Sequence, residues 1–184
     1  MTRFKILQRE DMSPRQREVA DAIASGPRGA LKGPFLALIH NPELAQRLQT
    51  LGEHLRYDTG LAPDLVEIPI LLAARRWNCD YEWAAHARIA KAAGLREGII
   101  DAIARGHRPD ALTQDEALLY DFAREALDAG APGKERVDAM QARFGDAVVL
   151  DVLALCGYYS LLAFVLNVAH LPLPEGASPL PLAG

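Results

Sequence analysis

Cys79-Asp80-Tyr81-Glu82-Trp83-Ala84-Ala85-His86 is the stretch that decides how this chain is read. Wound as an α-helix at about 100° per residue, Glu82 falls at about −60° from Cys79, His86 at about −20° and Trp83 at about +40°. Ala90 and Ala93 continue that face, while Asp80, Arg88 and Lys91 lie between roughly 100° and 180°. The helix has a charged face for water, and Glu82 and His86 are not on it. A thiol, a carboxylate and an imidazole therefore share the face expected to be buried. A buried charge persists when it is paired, and the four-residue step from Glu82 to His86 lets the two side chains meet.

The segment before it is apolar apart from one residue: Leu65-Val66-Glu67-Ile68-Pro69-Ile70-Leu71-Leu72-Ala73-Ala74. Glu67 shares a helical face with Ile70, Leu71 and Ala74. The short connection at Trp77-Asn78 makes the two helices antiparallel neighbours, a hairpin over 61–94 that lets Glu67 approach the thiol–imidazole group. Pro69 removes a backbone donor and should kink its helix.

Further out, start and stop signals place the remaining helices. Ser13-Pro14 opens one that runs to Ser25, and Asn41-Pro42 opens one to Tyr57 with Leu44, Leu48, Leu51 and Leu55 in register. Helices follow from Ala62-Pro63 to Trp77, Cys79 to Ala93 and Leu95 to Arg105. Thr113-Gln114-Asp115-Glu116 is a capping-box start for a helix to Ala129, and Lys134–Phe144 and Ala147–Ala169 close the series. Residues 30–40 read as a short helix or a loop. No period-two alternation is sustained anywhere, so the expected fold class is all-α. The first twelve residues and the proline-rich tail from Leu171 (171–184) read as arms, the tail either lying across a neighbouring subunit or disordered.

The 184 residues suffice for one domain, 1–184, with a sizeable core. A net charge of −4 with scattered basic residues gives no electrostatic reason to expect nucleic acid or an anionic membrane surface. Cys79 and Cys156 are too few for a disulfide framework, so a reducing cytoplasm is expected. The apolar run from Ala147 to His170 holds Asp151 and Asn167 and reads as a buried helix, not a membrane span. Each site residue also has a bland reading: Cys79 as an inert core thiol, His86 as a satisfied core histidine, Glu82 and His86 as a structural ion pair. Four polar groups converging on apolar faces favour a site. Cys, Glu and His are zinc ligands too, but the spacing supplies no second His or Cys pair; neither a metal nor a cofactor is expected. His40, His54, His107 and His170 read as surface or capping residues.

On these residues the chain resembles the carboxymuconolactone decarboxylase family, which includes the alkylhydroperoxidase D proteins. Peroxidase members carry a glutamate, then Cys-x-x-Cys, then a histidine four residues after the second cysteine. Glu67, Cys79 and His86 match by position, and Glu82 stands where the second cysteine would be. The resemblance implies an all-α fold assembled into trimers or hexamers and acting on a small molecule. It also implies that the two-thiol peroxidase cycle cannot run here as such. The decarboxylase branch uses a carboxylate and a histidine on one helix, which suits Glu82 and His86. The leading expectation is acid–base chemistry on a small lactone or carboxylic acid at Glu82 and His86, with Glu67 and Cys79 assisting. Arg75 or Arg76 would hold a substrate carboxylate, and Tyr81 and Trp83 would wall the pocket. The alternatives are a single-thiol hydroperoxide reductase using Cys79 and a non-catalytic helical protein that binds a ligand.

Overall fold

The structure, a computed structural model, describes residues 2–174 and 176–181. Eight α-helices follow one another: α1 (Pro14–Ser25), α2 (Phe35–Leu38), α3 (Pro42–Tyr57), α4 (Pro63–Arg76), α5 (Asp80–Ala93), α6 (Glu97–Ala104), α7 (Gln114–Ala129) and α8 (Lys134–Ala169). A 3-10 turn, Arg9–Asp11, precedes them, and among the described residues there is no strand. The all-α expectation holds.

The starts form where the sequence places caps. Ser13 and Thr113 make capping boxes with Gln16 and Glu116, and the Asn41 side chain accepts from the Leu44 amide. Proline occupies the first turn of α1, α3 and α4, where its missing N–H has no intrahelical partner to lose. Gly94 and Gly130 end α5 and α7 in the left-handed conformation.

α4 is the central element, packed against α3, α5, α6, α7 and α8. Every residue from Val66 to Ala74 is buried, Glu67 among them. One side of α4 meets α6, α7 and the first half of α8 through Ile68, Leu71, Leu72, Leu119, Phe122 and Met140. The other faces a second cluster shared by α1, α2, α3 and the second half of α8, with Val66, Ile70, Ile23, Phe35, Leu55 and Tyr159 among its members.

The structure departs from the sequence reading in a few places. Residues 30–40 are turns around the short α2. α6 begins at Glu97, two residues later than expected, and Cys79 is the N-cap of α5, not its first residue. The two last helices are present as expected: the run labelled α8 is two helices that meet at a kink at the non-helical Gly145 (φ 81°, ψ 166°). The C-terminal arm folds back on its own chain. The Leu180 amide donates to Asp80 Oδ1 at 3.0 Å, Arg75 Nη1 donates to the Pro181 carbonyl at 2.6 Å, and Leu180 itself is buried. Leu180 is the apolar anchor, and Asp80 and Arg75 hold the backbone on either side of it. Residues 175 and 182–184 of the expected arm lie outside the described residues.

Candidate active site

α4 and α5 form the expected antiparallel pair, joined by Trp77, Asn78 and Cys79. Asn78 takes a positive φ of 47°, which asparagine tolerates better than most residues. This tight joint sets Glu67 of α4 against His86 of α5: the imidazole Nδ1 and Glu67 Oε2 are 2.7 Å apart, both residues buried. With Nδ1 donating to the carboxylate, Nε2 is the nitrogen left for chemistry. The ring of Tyr159, from α8, meets His86 edge-on at 5.0 Å. Glu67 and Tyr159 thereby fix the imidazole from two directions.

Glu82 lies one turn before His86 on the same face but makes no hydrogen bond to it. Its Oε2 is buried with no hydrogen-bond partner. Burial, reinforced by the negative charge of Glu67, pushes the Glu82 carboxyl well above the usual carboxylate range. Two buried carboxyls share this site and one imidazole serves Glu67, so Glu82 is the one pushed toward its neutral form. An unpaired buried carboxylate would cost several kcal/mol (roughly), whereas a protonated one needs only a polar partner.

Cys79 is fully buried between Ala163, Leu166 and Trp77. Burial first, then negative charge at Glu82 wherever that group ionises, push its thiol up to about 12. Backbone contacts to Glu82 and Tyr81 at the start of α5 pull the other way and do not offset this. Cys156, on α8, is likewise buried and its thiol is pushed up to about 12 by burial.

A cleft of about 540 Å³ reaches His86 from the surface. Its walls are Tyr81, Ala84, Ala85 and Ile89 of α5, Arg56 and Tyr57 of α3, the Pro27–Pro34 loop, and Pro174, Gly176 and Ala177 of the C-terminal arm. Four cations border it: Arg28, Lys32, Arg56 and Arg88. Among the described residues no carboxylate lines the cleft and none of the four is in an ion pair. Arg28 donates to the Gln49 side chain and, at 3.3 Å, to the Tyr158 hydroxyl. That hydroxyl in turn donates to the Leu48 carbonyl at 3.0 Å.

Glu67, Glu82 and His86 thus come together, and Tyr81 walls the cleft beside Gly33. Cys79 is nearby but is not a cleft residue. Trp83 packs into the core against α6 and α7. Arg75 and Arg76 lie elsewhere. Arg75 is held by the Ala104 and Pro181 carbonyls and Asn78, and Arg76 pairs with Asp128 at 3.3 Å. The basic residues at the cleft were not singled out in the sequence. Arg28 and Lys32 sit in a loop whose path has no periodicity, and Arg88 lies on what reads as the solvent face of α5. The available signal was the Gly26-Pro27-Arg28-Gly29 cluster followed by Lys32-Gly33-Pro34, a rigid basic loop. Among the described residues no group of three His, Cys, Asp or Glu side chains has a metal-binding arrangement.

The model of the carboxymuconolactone decarboxylase family matches residues 42–125, which span both helices of the site. No curated protein matches. Among solved structures, the chain is similar to an alkylhydroperoxidase AhpD core, an uncharacterized peroxidase-related protein from Ralstonia eutropha JMP134. That match has a TM-score of 0.77 at 17% identity, covering 95% of this chain and 93% of the other.

Proposed function

We infer an enzyme that removes CO₂ from a small carboxylic or lactone acid by acid–base chemistry, from a chain whose residues 42–125 match the model of the carboxymuconolactone decarboxylase family. The observation that carries this reading is the buried Glu82 carboxyl, its Oε2 without a hydrogen-bond partner, beside the Glu67–His86 pair, whose imidazole lines a cleft bordered by cations. Loss of CO₂ leaves its electron pair on the substrate carbon, as a carbanion or dienolate. One proton must then be delivered to carbon for each turnover. His86 lines the cleft and is the group that meets the substrate. Glu67 fixes the imidazole and balances its charge when it is protonated. Glu82 holds the second proton at neutral pH in a place where an ordinary glutamate would have lost it.

The cations serve binding. Arg28 and Arg56 are half-buried, Arg28 against the Tyr158 hydroxyl, and suit a substrate carboxylate, which guanidinium groups grip in two-pronged fashion. Lys32 and Arg88 draw an anion toward the mouth. Arg75 and Arg76, tied to other partners, are not needed for this role. The arrangement favours small anions over neutral hydroperoxides.

The second reading is a single-thiol peroxidase centred on Cys79. The peroxidase-related structural neighbour gives it standing, and burial of Cys79 weighs against it, because the thiolate is the nucleophile. The test is direct. A panel of small lactone and unsaturated acids is screened for CO₂ release with matching proton uptake, using wild type, Glu82→Gln and His86→Ala. Wild-type turnover lost about 100-fold or more in both variants is the expected result. Undiminished CO₂ release in both would overturn the proposal.

A further inference from the structure

Four arginines converge where α4 ends. Arg75 and Arg76 form its last turn, Arg105 follows α6, and Arg124 lies on α7. Together they border a second cleft, of about 290 Å³, that shares no residue with the cleft at His86. Leu72 and Leu127 give this second cleft an apolar lining. Among the described residues only two carboxylates pair with the four guanidinium groups. Asp128 accepts from Arg124 Nε at 2.5 Å and stands 3.3 Å from Arg76 Nε, while Asp101 is 3.7 Å from Arg105. Arg75 is held by neutral acceptors alone, the Ala104 and Pro181 carbonyls and the Asn78 side chain. Four positive charges thus face two negative ones, and an excess of two remains.

Arginines at helix C-termini are ordinary, because they complement the helix dipole. Arg75 answers that description through the Ala104 carbonyl at the end of α6. Arg124 does not, since it lies before the last turn of α7. Asp128, between Arg76 and Arg124, meets each through Nε and not by the two-pronged grip that a guanidinium makes at its strongest. Arg76 is steadied from its other side by the Trp77 ring, whose centroid is 5.0 Å from Cζ. Like charges gathered this closely repel one another, and the two acids offset only part of that.

We propose that this arginine cleft is a binding site for a small phosphate-bearing dianion, either inorganic phosphate or a phosphomonoester. A dianion matches the excess charge, and a phosphate offers three acceptor oxygens to guanidinium groups arriving from α4, α6 and α7. Leu72 and Leu127 would lie against the carbon portion of an ester, and apolar surroundings strengthen the charge interactions beside them. A nucleic acid would need a longer basic tract, and the chain as a whole carries a net charge of −4. The site stands apart from the chemistry inferred at His86 and does not depend on it.

Isothermal titration calorimetry of the full chain in phosphate-free buffer tests this, with inorganic phosphate, glycerol phosphate, acetate and glycerol as probes. Phosphate and glycerol phosphate are expected to bind with a Kd below about 1 mM, and acetate at matched ionic strength at least about tenfold more weakly. Glycerol should not bind. Tighter binding of glycerol phosphate marks an ester as the ligand, and equal binding marks free phosphate. A chain carrying both Arg105→Gln and Arg124→Gln should lose about tenfold or more in phosphate affinity with unchanged circular dichroism. Arg28→Gln, at the other cleft, should lose none. Asp128→Asn removes the competing carboxylate and should bind phosphate more tightly than wild type, an outcome that damage to the fold would not produce. No phosphate binding by wild type, or binding indifferent to the double substitution, would overturn the proposal. So would binding lost in Arg28→Gln, which would place the anion beside His86, or an Asp128→Asn chain that binds no tighter than wild type.

Discussion

At the scale of single residues, Glu82 is central to the proposed chemistry and carries a stability cost that can be measured. Its folded value lies above the ordinary 4.5 because burial and Glu67 disfavour the charge. Between pH 4.5 and that raised value the folded chain keeps a proton that the unfolded chain releases, so stability falls as pH rises through this window. Glu82→Gln removes the titration. The variant should match wild type near pH 4 and exceed it at pH 8 by about 2 kcal/mol, a Tm gain of about 4–8 °C, while turnover collapses. Equal Tm differences at both pH values would show that Glu82 is not held neutral. For Cys79, burial and the thiol pushed up to about 12 predict slow reaction with hydrogen peroxide at pH 7. Mass spectrometry should find it unmodified, and Cys79→Ala should keep turnover within about threefold. The carboxylate, thiol and imidazole were legible in the sequence because helical period alone fixes which residues share a face. The four cations were not, because a loop and two distant helices meet at the cleft only through the tertiary fold. Arg75 and Arg76 follow the apolar helix as directly as a substrate-holding arginine would, and only their partners in space show them tied up.

At the scale of elements, the site depends on how closely α3 approaches α8. Gly52 makes that approach possible. A Cβ built there would stand 2.2 Å from the Tyr158 hydroxyl and 2.9 Å from Arg28 Nη2. Gly52→Ala should therefore destabilise by about 1–3 kcal/mol, displace Tyr158 from the Leu48 carbonyl and raise KM through Arg28. Calorimetry with steady-state kinetics separates this from a uniform loss of active protein, which would lower kcat at constant KM. Most helix ends were legible, since Ser13-Pro14, Asn41-Pro42 and the Thr113–Glu116 box are local chemistry. The Lys134–Ala169 run was read as two helices, and the non-helical Gly145, with its φ of 81°, is the kink at which the two meet. Residues 30–40 were ambiguous for a physical reason: four helical residues cannot form alone and depend on the core that Phe35 and Leu38 enter.

At the scale of the whole molecule, the C-terminal arm closes the cleft with Pro174, Gly176 and Ala177, and its hold on the body rests on Leu180. Nothing in its sequence separates packing on its own chain from reaching a neighbour. Proline content fixes an extended path but not its destination, which Asp80 and Arg75 decide. Leu180→Asp should free the arm, cost about 2 kcal/mol or less globally because the arm is peripheral, and raise KM severalfold. Unchanged KM with an arm shown to be proteolytically accessible would mean that it takes no part in binding.

α4, finally, carries Glu67 in the one helix that nearly every other helix touches. Its backbone cannot open unless its neighbours separate, so the amides of Val66 to Ala74, Pro69 excepted, should exchange with deuterium only through global unfolding. Placing the partner of His86 there ties the integrity of the Glu67–His86 pair to the cooperativity of the fold. Heating or denaturant should abolish turnover in step with the loss of the whole helical signal, with no range of conditions in which the chain stays folded but the pair has come apart.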